Sequence, residues 1–211
     1  MQSQYDCIFG FSNGHVGTTT LSDIHSYNNG KVSGLALLFE GSNPLKGRKT
    51  FVSQKEYGQN FTIQEEVKFV KNYFAPHLVT MQRLYNARVI MDLGHYNLFY
   101  YNGLVEYFTS SKYASQRPDN ICKRILFVRI RRPRLETAFS LYYQSSGRTI
   151  SNICTDFSVN YCPYTNPNAV LLHPPSTEAW SNLSAFQQCL WIIDETNARW
   201  EKFKETYPQI R

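Results

Sequence analysis

The sequence predicts an α/β fold with a mostly parallel sheet flanked by helices, as a single domain spanning 1–211. Three observations lead there. Short apolar, β-rich runs alternate with segments of helical periodicity along the chain. The run at 125–130 is largely apolar, as a parallel strand is when both its faces are covered. Three candidate motifs each follow a predicted strand directly, and in open α/β sheets ligands sit at the carboxyl ends of the strands. No internal repeat or low-complexity linker interrupts the pattern.

The elements follow in order. Residues 5–11 form a short β-rich run that ends in the turn signal Ser12-Asn13-Gly14. Residues 18–27 suit a helix with Leu21, Ile24 and His25 on one face, and Asn28-Asn29-Gly30 stops it. Residues 35–39 read as a second strand, and 41–60 as a polar, basic surface loop. Thr62-Ile63-Gln64-Glu65 is a capping box that opens a helix carrying Ile63, Val67, Val70 and Phe74 along one side. Residues 87–93 form the third strand, 96–108 a helix, 125–130 the fourth strand and 134–143 another helix. Residues 145–175 are irregular. A long helical region runs over 177–207, with Leu183, Phe186, Leu190 and Ile193 as its buried stripe.

Composition bounds the function. A chain of 211 residues with 42% hydrophobic content can bury a full core. The net charge of +6 suits nucleic acid, an anionic surface or a small polyanion. The basic residues concentrate at Arg129, Arg131, Arg132 and Arg134, with Lys123 and Arg124 upstream. One tight cluster beside a strand suits one or two phosphates better than a nucleic-acid face. The five cysteines, Cys7, Cys122, Cys154, Cys162 and Cys189, are odd in number and show no C-x-x-C spacing. That argues against zinc, gives no disulfide framework and favours a reducing, cytoplasmic setting, with Cys154 and Cys162 left as a pair that could bridge a loop. No leader or membrane-spanning run is visible, and a Golgi location behind a removed anchor stands as the alternative to the cytoplasm. Asn60-Phe61-Thr62 and Asn182-Leu183-Ser184 match the glycosylation pattern.

The first motif is Gly10-Phe11-Ser12-Asn13-Gly14-His15-Val16-Gly17-Thr18-Thr19-Thr20-Leu21, between a strand and a helix. Glycines let the backbone turn its N–H groups toward an anion, the helix N-terminus adds its positive dipole end, and threonine hydroxyls add donors. An ATP- or GTP-type loop carries Lys after its last glycine, whereas here Thr18 follows Gly17. The loop therefore suits a nucleotide with only a 5′-phosphate group to hold. The plain alternative is a Gly/Thr-rich turn that binds nothing.

The second motif runs from Phe127 to Tyr143. An arginine leaves the strand, Pro133 breaks it and a helix follows, with Arg132 and Ser140 eight residues apart. Arginine offers a forked donor to phosphate and serine a short hydroxyl. For Arg129 and Arg134, solvated pairing with carboxylates is the favoured reading.

At these residues the chain resembles the sulfotransferase family. Gly14-His15-Val16-Gly17-Thr18-Thr19 is similar to the family's 5′-phosphosulfate loop, and Arg132 through Ser140 is similar to its 3′-phosphate motif, in the same order and strand–helix context. The resemblance covers mainly 6–21 and 125–143. It implies a P-loop-like α/β fold, 3′-phosphoadenosine-5′-phosphosulfate as donor, adenosine 3′,5′-bisphosphate as product, and no metal. It assigns Asn13, Gly14, His15, Val16, Gly17, Thr18, Thr19, Thr20, Arg132 and Ser140 to the donor, with Arg131 or Arg134 open as a second 3′-phosphate contact. The family carries Lys or Arg where this chain has His15, and the glycine-rich C-terminal motif of its cytosolic branch is missing.

Sulfonate transfer to an alcohol also needs a base. His95 ends the third strand, where many sulfotransferases carry His or Glu, and Asp92 is the runner-up. Tyr96, Phe99, Tyr100 and Tyr101 offer a pocket wall for a small-molecule or glycan acceptor, with a core-facing helix as the default for most of them. Two rival functions remain from the sequence: a P-loop nucleotide kinase or other phosphotransferase, and a non-catalytic nucleotide-binding protein of the same fold. A nucleic-acid binder ranks third.

Overall fold

The computed structural model describes residues 6–12, 35–38, 62–93, 97, 100–118, 121–145, 171–172, 176, 178–179 and 182–210. The expected helix over 18–27, the loop over 41–60 and nearly all of the irregular stretch over 145–175 lie outside these residues.

Four strands form one parallel sheet. They are β1 (Cys7–Phe11), β2 (Leu35–Leu38), β3 (Val89–Asp92) and β4 (Ile125–Arg129), in the order β2-β3-β1-β4. β1 pairs with β3 from Cys7↔Ile90 to Phe9↔Asp92, and with β4 from Cys7↔Ile125 to Phe11↔Arg129. The α/β class and the parallel sheet are therefore as the alternating pattern predicts. β4 departs from expectation in one respect. It is parallel, but only Phe127 is fully buried, and its other residues are half-exposed. An apolar run shows that a strand is half-buried or better. It does not show how many of its faces are covered.

Helix α1 (Ile63–Phe69) starts at the expected capping box, in which Thr62 and Glu65 satisfy each other's backbone N–H groups. The helical path continues through a π-helical turn, Val70–Phe74, into α2 (Ala75–Leu84). Pro76 accounts for the wide turn. It has no N–H to give to the carbonyl four residues back, and its ring crowds that carbonyl. The ladder opens so that the Ala75 N–H reaches the Val70 carbonyl, five residues away. The widened turn keeps Val70 and Phe74 buried, while Ile63, expected on the same side, stays exposed. α2 ends at Asn86, whose φ of 46° is the left-handed conformation that asparagine tolerates at helix ends.

Helix α3 (Tyr101–Thr109) leads into a 3₁₀ helix, Ser111–Gln116. Helices α4 (Arg134–Ser145) and α5 (Ala185–Thr206) complete the described elements. α5 begins later than the expected 177 because Ser184 caps it, in a second capping box with Gln187.

The chain divides into two compact units, one holding β1–β4 and α1–α3, the other α4 and α5. The first unit's core is aromatic: the Phe9 ring lies 5.8 Å from Phe74, 5.9 Å from Phe108 and 5.5 Å from Phe127. All four of these rings are buried. In the second unit Ala138 and Leu141 of α4 pack against Cys189 and Ile193 of α5, with Phe186 and Leu190 half-buried at the margin. Among the described residues no helix is long and apolar enough to cross a membrane.

One expectation is overturned. Cys7 and Cys122 form a disulfide, although the odd cysteine count and the spacing gave no framework. The pair is 115 residues apart in sequence. It meets because β1 and β4 are neighbours in the sheet, Cys7 opens β1 and Cys122 lies in the segment that leads into β4. Spacing rules see local pairs and cannot register a partner supplied by strand order. Cys189 is a free thiol in the second unit's core, and burial pushes its pKa up to about 11. Cys154 and Cys162 lie outside the described residues.

Candidate functional site

The carboxyl ends of β1 and β4 are where the two motif-bearing connections begin. β1 runs to Phe11, and Ser12 follows it as a fully buried residue. The Phe11 carbonyl accepts the Ile130 backbone N–H at 3.0 Å and Arg129 Nη1 at 2.9 Å. Arg129 Nη1 also donates to the Ile130 carbonyl at 3.2 Å. Arg129 thus holds two adjacent strand ends together through backbone carbonyls, whereas the sequence favours a solvated arginine paired with carboxylates. Asn13, Gly14, His15, Val16, Gly17, Thr18, Thr19 and Thr20 lie outside the described residues, as does His95.

Sequence reasoning missed Asn97. Its side chain is fully buried, and Nδ2 donates to the Gly10 carbonyl at 3.2 Å and the Asp92 carbonyl at 3.1 Å, with Asp92 Oδ1 at 3.4 Å. Tyr100 Oη donates to Asn97 Oδ1 at 2.9 Å. One amide therefore ties the ends of β1 and β3 on the side from which the Gly/Thr loop departs. A polar residue a few positions beyond a strand was the only available signal, and it is common. Gly10 belongs to the same junction: a Cβ there would stand 2.8 Å from Leu93 Cδ2 and 2.9 Å from its Cα. The strands close so tightly at this end that the first residue of the motif has no room for a side chain.

Asp92, the runner-up base, is only 1% exposed. Its carboxylate faces into the Asn97 junction. Tyr100 is fully buried between Phe69 and Phe74, with ring centroids at 5.1 and 5.6 Å, so it belongs to the core and not to a pocket wall. Tyr101 is half-buried, 5.9 Å from the Phe11 ring. Trp191 donates Nε1 to the Leu172 carbonyl at 3.0 Å, and Trp200 stacks on Phe203 at 5.4 Å.

The second unit carries the arginine–serine motif, and it distinguishes the three arginines. Arg134 is engaged by both oxygens of Asp194, Nε at 2.7 Å and Nη2 at 2.5 Å, and that hydrogen bonding raises its pKa further. Arg131 faces Glu201 at 3.5 Å. Arg132 is exposed and touches Glu136 through Nε alone, at 3.2 Å. A one-turn surface pair of this kind is worth a few tenths of a kcal/mol, roughly 0.3–0.5, so an anion of higher charge can displace it. The fork of Arg134 is taken, while the two terminal nitrogens of Arg132 have no partner among the described residues. Thr137 Oγ1 donates to the Pro133 carbonyl at 3.0 Å and fixes the first turn of α4. Ser140, in the second turn, is half-buried.

These donors fit a phosphate on chemical grounds: a guanidinium fork beside a helix N-terminus, with a hydroxyl one turn further on. Among the described residues no cluster of three or more His, Cys, Asp or Glu side chains could hold a metal ion. Comparison with protein-family models, with curated proteins and with solved structures found no match.

Proposed function

We propose that the chain is a sulfotransferase of P-loop-like fold, acting on a hydroxyl or amine acceptor with 3′-phosphoadenosine-5′-phosphosulfate as donor. The observation that carries this reading is the adjacency of β1 and β4 as parallel strands. The Gly/Thr connection and the arginine connection both start from carboxyl ends of neighbouring strands, the place where open α/β sheets bind ligands. The displaceable Arg132 pair supports it further, because it leaves one arginine of the cluster able to take a phosphate.

The residues divide the work as follows. The loop amides, with the hydroxyls of Thr18 and Thr19, hold the 5′-phosphate, and Asn13, Gly14, Val16, Gly17 and Thr20 belong to the same donor-binding loop. Arg132 and Ser140 hold the 3′-phosphate. The donor supplies an activated sulfonate, whose bond to the bridging phosphate oxygen breaks as the acceptor attacks in line. His15 donates to that oxygen as its negative charge grows, and His95 takes the acceptor proton. His95 is preferred to Asp92 because the aspartate is buried in a structural junction. Positioning and preorganised donors supply most of the acceleration.

Purified protein should transfer labelled sulfonate to a member of a panel of alcohols, phenols and amines, with the rate unchanged by a magnesium chelator. His95→Ala should lower turnover by about 10²–10⁴-fold while donor affinity stays nearly intact. A magnesium-dependent transfer of phosphate from ATP would instead establish a phosphotransferase. Donor binding with no turnover on any acceptor would establish a non-catalytic nucleotide-binding protein.

A further inference from the structure

Asn182 opens the triplet Asn182-Leu183-Ser184, which fits the acceptor pattern for N-linked glycans. The triplet alone is a weak signal, and two independent structural observations strengthen it. The first is placement. Asn182 is exposed in the turn that precedes α5, with its backbone N–H bound to the Glu178 carbonyl at 2.9 Å. Its side-chain amide has no hydrogen-bond partner among the described residues. Leu183 is half-buried, and exposed Ser184 caps α5. A sugar on Asn182 Nδ2 would therefore extend into water without displacing a packed atom or breaking a bond of the fold.

The second observation is the Cys7–Cys122 disulfide. Both residues are buried, at 0% and 1% exposure, and the bond links the start of β1 to the segment that leads into β4. Disulfides of this structural kind form and persist in oxidising compartments and are rare in the reducing cytoplasm. In a eukaryotic cell the compartment that forms such bonds is also the one that transfers N-linked glycans. The disulfide lies in one unit and the triplet in the other, so neither observation entails the other.

We propose that Asn182 is a site of N-linked glycosylation and that the chain matures in an oxidising, glycan-transferring compartment. This rests on neither the donor nor the acceptor of the proposed reaction. In the modification, Asn182 Nδ2 attacks the anomeric carbon of an oligosaccharide carried on a lipid diphosphate. The new bond is carbon to nitrogen, and the bond from that carbon to the diphosphate oxygen breaks with its electron pair on the oxygen. One amide proton passes to a base of the transferring enzyme. Asn60, which opens the other triplet, lies outside the described residues and carries no part of the proposal.

The test is peptide mapping of the full chain, purified from its native source and, in parallel, from cultured eukaryotic cells in which it carries a secretory leader. Peptide N-glycosidase in heavy-oxygen water should deamidate Asn182 and mark its peptide by mass in both preparations. The Cys7–Cys122 linked peptide should be present before reduction. N182Q should lose one glycosidase-sensitive step in electrophoretic mobility, whereas N60Q retains that step. An unmarked Asn182 peptide in both preparations would overturn the site. An unmarked Asn182 peptide with free Cys7 in the native protein alone would overturn the compartment.

Discussion

Gly103 is where α3 meets α1, and two demands fall on that one residue. It sits in the first turn of α3, whose N-cap, Tyr100, provides no side-chain cap, so its N–H needs a partner from elsewhere. Glu66 of α1 supplies it: Oε2 accepts that N–H at 2.9 Å, and the buried carboxylate also complements the positive end of the α3 dipole. The same approach leaves no room for a side chain. A Cβ on Gly103 would stand 2.5 Å from Glu66 Cβ and 2.6 Å from the Glu66 carbonyl carbon. Replacing a helical glycine by alanine is worth about 1 kcal/mol of added stability where space allows. Here overpacking against backbone costs about 1–3 kcal/mol and separates the pair that caps α3. Gly103→Ala should therefore lower unfolding free energy in urea titration, and a more stable variant would show that the helices are not in such close contact. Neither demand was legible in the sequence. A helical pattern places Gly103 on a face but does not reveal which backbone lies opposite, and Glu66 reads there as one more exposed acid.

At the scale of elements, the two capping boxes are the clearest match of residue to structure. The Thr62 box was legible because Thr and Glu stand three apart before an apolar periodicity. The Ser184–Gln187 box has the same spacing, but the periodicity around it reaches back to 177 and hides the boundary. Thr62→Ala and Ser184→Ala should each cost about 1 kcal/mol. The Thr62 box also carries a pH signature. The Thr62 backbone N–H and hydroxyl both donate to Glu65 and hold its carboxyl below the ordinary glutamate value. A depressed folded-state pKa gives stability that is present above the unfolded pKa and lost as pH falls through the folded one. The loss should thus appear on the acid side of the ordinary glutamate range, and Glu65→Gln should remove that part of the pH dependence in thermal melts. A wild-type curve parallel to that of Glu65→Gln would contradict it. α5 shows the opposite limit of legibility. The apolar stripe anticipated Ile193 as buried, yet Glu195, Thr196 and Arg199 share the buried face. Glu195 accepts the N–H of Leu171 and of Leu172 and pairs with Arg199 at 2.8 Å. A periodicity built on hydropathy assigns such residues to water, and the backbone that Glu195 serves is more than twenty residues away.

Across the whole molecule, the alternation of runs was enough to give a parallel α/β sheet, because strands separated by helices pair in parallel through crossover connections. Strand order was not legible, and neither was the Cys7–Cys122 bond that depends on it. The order puts the two strands that precede the motifs side by side. Phe11 and Arg129 pair at the ends of β1 and β4, and the two connections assigned to phosphate begin there. Of the arginine cluster, the sequence singled out Arg132 by its spacing to Ser140 and by the family resemblance those residues carry. In that cluster Arg129 is engaged with backbone carbonyls and Arg134 with Asp194. The central claim is that this chain holds a nucleotide carrying both a 5′- and a 3′-phosphate. The most direct measurement is calorimetric titration with adenosine 3′,5′-bisphosphate and with AMP, on wild type and Arg132→Ala. The bisphosphate should bind wild type more tightly by about 1.5–3 kcal/mol, the range for a hydrogen bond to a charged group, or roughly 10- to 150-fold in Kd. Arg132→Ala should lose most of that preference while keeping its affinity for AMP. Equal affinity of wild type for the two nucleotides, or a preference that survives in Arg132→Ala, would contradict the account.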